Sequence, residues 1–303
     1  MQGHIQQAAE HRKGLAITAI GGLMLTADIP LIRLSQSDTW SALAVRSTLT
    51  VLVALVAFGI LRFALKRPVP IIHGRAGLLV ITLYGLASIS FILAVYSTST
   101  ANLVFILAFN PMFSALLAWW IAGEKPRPQT FAAMVVMILG VLLIVADGLK
   151  AGNTTGDLLA LATSLMLAGA ITASRKARVD MGFAPLVAAI VPAVIGLAMA
   201  GGPSGVTVAA PGWLALNGLF AIPIAFWCLA TGPRYISGPE VAMFYLLETI
   251  LAPVWVWMIF SEAPTPLGLL GGGVIIVALV SHSLWQLSSH RRAVRTLAPR
   301  HPV

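Results

Sequence analysis

The chain has 303 residues, of which 58% are hydrophobic and 10% charged, with a mean hydropathy of +0.92 and a formal net charge of +9. Soluble domains carry about 25% charged residues, and much of any soluble fold's surface is still apolar, so this composition excludes an ordinary soluble core and places the chain in lipid. Long unbroken apolar runs exclude a β-barrel, whose strands read as short alternating segments, and leave helices as the spanning element.

About 20 apolar residues span a bilayer. In chain order the runs predict ten spans, over 14–34, 41–62, 76–96, 100–122, 129–147, 156–175, 183–200, 212–232, 240–260 and 266–287. The run after Lys13 is too long for the core of a secretion signal and no A-x-A-like site follows it, so it is kept as the first helix. Only Ser97-Thr98-Ser99-Thr100 separates the third span from the fourth. The single cysteine, Cys228, falls inside the eighth span and can form neither an internal disulfide nor a metal site alone.

Lysine and arginine alternate with the loops. Arg12 and Lys13, then Arg62 to Arg75, Lys125 and Arg127, Arg175 to Arg178, Arg234, and Arg291 to Arg300 all fall on one side. The other side holds only Arg33 and Lys150, and Arg46 lies within a span. The positive-inside rule then puts both termini in the cytoplasm. The basic charge is explained by topology, and no nucleic-acid partner is expected.

The chain repeats itself. Trp119, Glu124, Pro126 and Pro128 recur as Trp257, Glu262, Pro264 and Pro266, each 138 residues later. The shared W-x4-E-x-P-x-P pattern reads as a hairpin between spans: proline ends the helix and glutamate keeps the turn solvated. Glu124, Pro126, Glu262 and Pro264 are therefore expected to be structural. Each half holds an odd number of spans, so the fourth runs inward and its counterpart, the ninth, outward. The expected fold is an all-α membrane protein of two inverted five-helix repeats. Residues 1–13 would be a cytoplasmic segment, 14–147 and 148–287 the two halves, and 288–303 a basic tail. Inverted repeats characterise secondary transporters, which bind substrate near the midplane between the halves.

Ten helices as five plus five, with Gly123-Glu124 or Ser261-Glu262 before a proline-bearing turn, resemble the EamA-type drug/metabolite transporter superfamily. The segment from Leu247 to Trp257, LETILAPVWVW, is similar to the YddG-type aromatic amino acid exporters within it. The resemblance implies an exporter in the bacterial inner membrane with a central cavity between the halves.

Ionisable groups inside spans are costly and are usually functional or paired. Glu248 lies about nine residues into the ninth span, roughly 13 Å deep at ~1.5 Å per residue. Its repeat partner is Asn110 in the fourth span, at a similar depth. Together they suggest a polar centre that binds a substrate amine or carries a proton. The plainer reading is a carboxyl bonded to backbone freed by Pro253. Asp28 and Arg46, near the ends of the first and second spans, suggest an ion pair between adjacent helices, either structural or an outer gate. Tyr84, Phe105, Phe109, Trp227 and Tyr245 lie deep. Tyr84, Trp227 and Tyr245 are the expected lining of the substrate side chain, and ordinary packing is the plain alternative. Pro30, Pro111, Pro192, Pro223 and Pro253 kink spans or free carbonyls toward a cavity. Gly268 and Gly272 offer a small-residue surface for a neighbouring helix or a second protomer, so monomer and homodimer stay open.

Two other classes fit the sequence less well, an intramembrane enzyme and a channel. Gly202-Pro203-Ser204-Gly205 matches a serine-protease pattern, with His282 as a base, but Ser204 falls in a loop. A channel would show charge rings or a carbonyl filter. No H-E-x-x-H, Cys/His cluster or nucleotide-binding loop occurs, so neither cofactor nor metal is expected. The chain is expected to be a secondary transporter of small metabolites, aromatic and other neutral amino acids foremost.

Overall fold

The computed structural model describes residues 2–64, 66, 74–123, 125–177, 183–231, 235–236 and 238–297. Among these the fold is helical, and the one β-type contact is an isolated bridge between Ser37 and Val208. The helices are α1 (Gln2–Thr26), α2 (Asp28–Leu34), α3 (Thr39–Gly59), α4 (Gly74–Ser97), α5 (Thr100–Leu107) and α6 (Asn110–Ala122). They continue with α7 (Pro128–Ala151), α8 (Thr154–Ala177), α9 (Ala184–Ala188), α10 (Ile190–Met199) and α11 (Pro211–Leu216). The last three are α12 (Ile222–Thr231), α13 (Gly238–Phe260) and α14 (Pro266–Leu297).

Eight helical stretches among the described residues are long and apolar enough to cross a membrane, and Ala184–Met199 and Leu247–Phe260 are shorter apolar ones. Large apolar side chains such as Leu55, Leu139, Leu142, Val194 and Val277 point outward and are exposed. Apolar exposure on this scale would drive a soluble protein to aggregate, and it matches a lipid-facing surface. The chain is a multi-pass membrane protein.

Local chemistry explains where the helices stop. Asp38 caps α3, its carboxylate accepting from the amides of Trp40 and Ser41 at 2.9 and 3.0 Å. Ser99 caps α5 by accepting from the Asn102 amide at 3.2 Å. Gly123, at φ 71°, ends α6 in the left-handed conformation that glycine adopts without strain, and Pro128 opens α7 where no amide is needed.

Several expected spans differ in detail. The first is broken at Ala27, giving α1 and α2, and the fourth at Ala108–Phe109, giving α5 and α6. In both a proline follows closely, Pro30 or Pro111, and its missing amide removes a rung from the helical ladder. The seventh is broken at Ala189, just before Pro192, and the eighth contains a π-type turn over Asn217–Ala221. The first helix starts at Gln2 and the last continues to Leu297. Both overrun the expected boundaries because no proline interrupts the polar stretches flanking the spans.

The helices pack in matched pairs. α4 lies on α8 as α12 lies on α1, and α6 lies on α8 as α13 lies on α1. α3 pairs with α10, and α7 with α14. Glycines let backbones approach: a Cβ at Gly140 on α7 would sit 2.8 Å from the Gly271 carbonyl, and one at Gly271 would sit 2.7 Å from the Gly140 carbonyl. The small-residue surface of α14 is thus used within the chain, Gly271 against α7 and Gly272 against Phe105 on α5. The main core gathers Ile29, Ile32, Leu43, Ile92, Leu103, Ile106, Met112, Met137, Ile144 and Ile275.

The loops after α2, α4, α7, α10 and α13 gather at the end that holds few lysines and arginines, here called the charge-poor end. There the first loop is bound to the fourth of this set. The Thr207 hydroxyl donates to Asp38 at 2.9 Å, the Thr207 amide to Ser41 Oγ at 2.9 Å, and the Ala210 amide to the Ser35 carbonyl at 3.0 Å. Slight burial opposes ionisation of Asp38, but its hydrogen bonds from Ser41, Thr207 and Trp40 prevail and hold its carboxyl below the usual range.

Candidate functional site

Three polar side chains close on one another in the interior. Arg46 on α3 donates from Nη2 to Asp28 Oδ2 at 2.8 Å and from Nε to Asn217 Oδ1 at 2.9 Å. The Asn217 amide donates to Asp28 Oδ1 at 2.7 Å and to the Asp28 carbonyl at 3.2 Å. Asp28 is 3% exposed, Arg46 6% and Asn217 0%. Two of these breaks in helical regularity serve the triad. Asp28 opens α2 immediately after the interruption at Ala27, and Asn217 starts the π-type turn. Phe91 covers the guanidinium at 5.5 Å from its ring centroid.

Glu248 lies on α13, half-buried, within electrostatic range of both Asp28 and Arg46. One arginine therefore faces two carboxyl groups. It is committed to Asp28, both of whose oxygens are occupied. Among the described residues Glu248 has no cation of its own. Two turns along α13, the Trp255 indole donates to Thr26 Oγ1 at 3.2 Å, joining α13 to the end of α1. An acidic group in lipid with no dedicated cation is matched by a proton or by a positively charged ligand.

The other candidates are dispersed. Asn110 is bound to α8, donating to the Ser164 carbonyl at 2.8 Å, and its amide is spent on holding α6 to α8. Tyr84 is half-buried on α4 among Val80, Ile81, Ala170, Ala184 and Ala188. Trp227 is 62% exposed. Ile222, Ala225, Cys228 and Leu229 are the buried face of α12, and at about 100° per residue Trp227 points away from it. The structure thus does not bring Trp227 to the triad. The side chain of Tyr245 lies outside the described residues.

The hairpin residues also need revision. Glu124 lies outside the described residues, and Pro126 and Pro264 are half-buried in their turns. Glu262 does more than keep a turn solvated. Its carboxylate forms a salt bridge with Arg33 of α2 and accepts from the Thr100 amide at 3.1 Å. Arg33 also donates to the Val95 and Thr98 carbonyls at 3.3 and 3.2 Å. Ser204, of the protease-like pattern, sits in the short turn Pro203–Gly205. His282 is instead bonded to Thr130 on α7 at 3.0 Å, about 24 Å along α14 from its start at the charge-poor end.

Two participants escaped the sequence reading. Asn217 is a lone asparagine in an apolar run, and that was the available signal. Asp157, in the first turn of α8, is fully buried but looks in sequence like an interfacial helix-start residue.

The fold and this interior cluster define a polytopic helical membrane protein whose spans pack in two related sets. The EamA-like transporter family matches residues 12–146 and again residues 154–283, and the chain belongs to that family. It is a membrane transporter, moving a small molecule across lipid. A solved structure described only as "Crystal structure of protein" is 17% identical, covers 91% of this chain and 98% of its own, and superposes with a TM-score of 0.62. At that identity it shows the shared fold alone. Comparison with curated proteins gave no significant match.

Proposed function

We propose that the chain is a secondary carrier of ten spans in two inverted halves. It exports small metabolites, aromatic and other neutral amino acids foremost, by alternating access across the bacterial inner membrane. The termini lie in the cytoplasm and the charge-poor end faces out. The observation that carries this reading is Glu248, an intramembrane carboxyl without its own cation beside a closed Asp28–Arg46–Asn217 triad. Matched helix packing and the doubled family match support two equivalent halves able to rock about that centre. Since Arg46 is committed to Asp28 and Asn217, the substrate's amine at Glu248 is the stronger polar contact. Asn110 holds the equivalent position in the other half. The preference for aromatic substrates is supported by the similarity of residues 247–257 to the YddG-type exporters.

The test is a panel of radiolabelled amino acids, amines and carboxylates in proteoliposomes. A charged hydrogen bond contributes about 1.5–3 kcal/mol, so Glu248→Gln should lower apparent affinity for the best substrate roughly 10- to 100-fold. If Glu248→Gln and Asn110→Ala both leave transport kinetics unchanged, this site is wrong. Flux that never saturates would mark a channel instead.

A further inference from the structure

A second polar cluster lies at the charge-poor end, away from the triad, where the two sets of helices meet. Its centre is Asp157, 0% exposed, in the first turn of α8. One carboxyl oxygen, Oδ1, accepts from the Thr98 hydroxyl at 2.6 Å and from the Asn102 amide at 3.5 Å. The other, Oδ2, is buried and receives no hydrogen bond. It is pressed against α7, where a Cβ at Gly148 would overlap it. Only a glycine there lets α7 and α8 approach so closely. The hydroxyl of Thr100, between Thr98 and Asn102 in sequence, is also buried and unpartnered.

Among the described residues, no charge compensates Asp157. Asp147 on α7 lies within electrostatic range, its own carboxylate bonded by the Thr265 hydroxyl. α5 and α6 carry no charged residue, and the charged residue of α4, Arg75, lies at its opposite end. Lys150 follows on α7, and its side chain is outside the described residues. Arg33 reaches the Thr98 carbonyl but is tied to Glu262. A carboxylate buried with one oxygen unsatisfied and a like charge nearby is strongly disfavoured in its ionised form, and a single proton relieves it.

We propose that Asp157 is a proton-binding site of the charge-poor end. Its carboxyl takes up one proton, on the oxygen facing Gly148, as that end closes, and returns it to the same side when the end opens. The closed geometry is what makes the site. Thr98 and Asn102 belong to the first family match and Asp157 to the second, so opening pulls the carboxyl from its donors into water, where it ionises. Protons therefore favour the closed end, and raising the pH on that side favours opening. Closing one end accompanies opening of the other, so this inference rests on the alternating-access reading above.

The experiment uses the full chain in proteoliposomes with Cys228→Ser, and Ala101→Cys as the reporter. Ala101 is buried on α5 beside the cluster and is exposed only if that end opens. Labelling by a membrane-impermeant maleimide is divided by that of Ser204→Cys in the exposed turn, which corrects for thiol ionisation. Between about pH 5 and 8 the ratio should rise with pH, by at most ~10-fold per unit for one linked proton. Asp157→Asn, a mimic of the neutral acid, should give a low, flat ratio. Asp147→Asn, which leaves Asp157 and its donors in place, should keep a pH-dependent ratio with a displaced midpoint. An unchanged slope in Asp157→Asn, or a flat ratio in the parent with Ala101→Cys labelled, overturns the proton site alone. A ratio that follows sodium and ignores pH replaces the proton by a metal cation. If Ala101→Cys is labelled only after denaturation, the end does not open and alternating access fails with it.

Discussion

Breaking the interior triad offers the sharpest energetic test. Asp28→Ala removes the acceptor of Arg46 Nη2 and the main acceptor of the Asn217 amide. It leaves a guanidinium only 6% exposed with Asn217 Oδ1 as its remaining partner from the triad. Stranding one member of a buried pair costs about 3–5 kcal/mol. Arg46→Met should cost a similar amount, because Asp28 would then keep only the Asn217 amide. Asp28→Ala with Arg46→Met removes both charges, and apolar replacement of a whole buried pair is often close to neutral. The double variant should therefore lose at least about 2–3 kcal/mol less than the sum of the singles. Equilibrium unfolding in mixed detergent micelles measures all four corners of this cycle. Single losses under about 1 kcal/mol, or losses that add, would refute the view that these residues compensate one another inside the membrane.

Asp38→Ala removes a helix cap and the link to Thr207, and should cost about 1 kcal/mol in the same unfolding assay. Because the folded carboxyl of Asp38 is held below its ordinary range, its contribution is present above the unfolded value. It is lost as pH falls through the folded one, so Asp38→Ala should flatten part of the acid limb of stability. Gly140→Ala places a methyl against the Gly271 carbonyl and should destabilise the α7–α14 contact by about 1–3 kcal/mol, read as a lowered unfolding midpoint. Trp227→Ala, on the face of α12 turned away from α1, should leave KM for the transported solute within about 2-fold; a 10-fold rise, worth ~1.4 kcal/mol, would return that ring to the site.

The helical membrane character was legible because lipid forces it: apolar runs of span length have few other uses. The W-x4-E-x-P-x-P repeat made two halves visible, since hairpin chemistry is local. The helix breaks were less legible. Pro30 and Pro111 mark where a ladder rung is lost, but proline alone does not distinguish a bend from an interruption that frees Asp28 or Asn110. Pairing between distant elements was only partly visible. Asp28 and Arg46 stood out because charges are rare in spans, whereas Asn217 is neutral and joins them from 171 residues beyond Arg46. The site aromatics were the weakest part, because the face a tryptophan occupies on a helix follows from packing. Trp227 is deep in sequence yet turned outward. Glu262 reads as a solvated turn residue until the fold brings Arg33 beside it.

A carrier of the proposed kind exchanges solute through one site at Glu248, and counterflow measures this most directly. Proteoliposomes preloaded with unlabelled substrate should transiently accumulate external radiolabelled substrate, by saturable and trans-stimulated uptake, and Glu248→Gln should reduce this at least about 10-fold. Uptake that is linear in concentration and indifferent to preloading, or counterflow undiminished in Glu248→Gln, would contradict carrier exchange at Glu248.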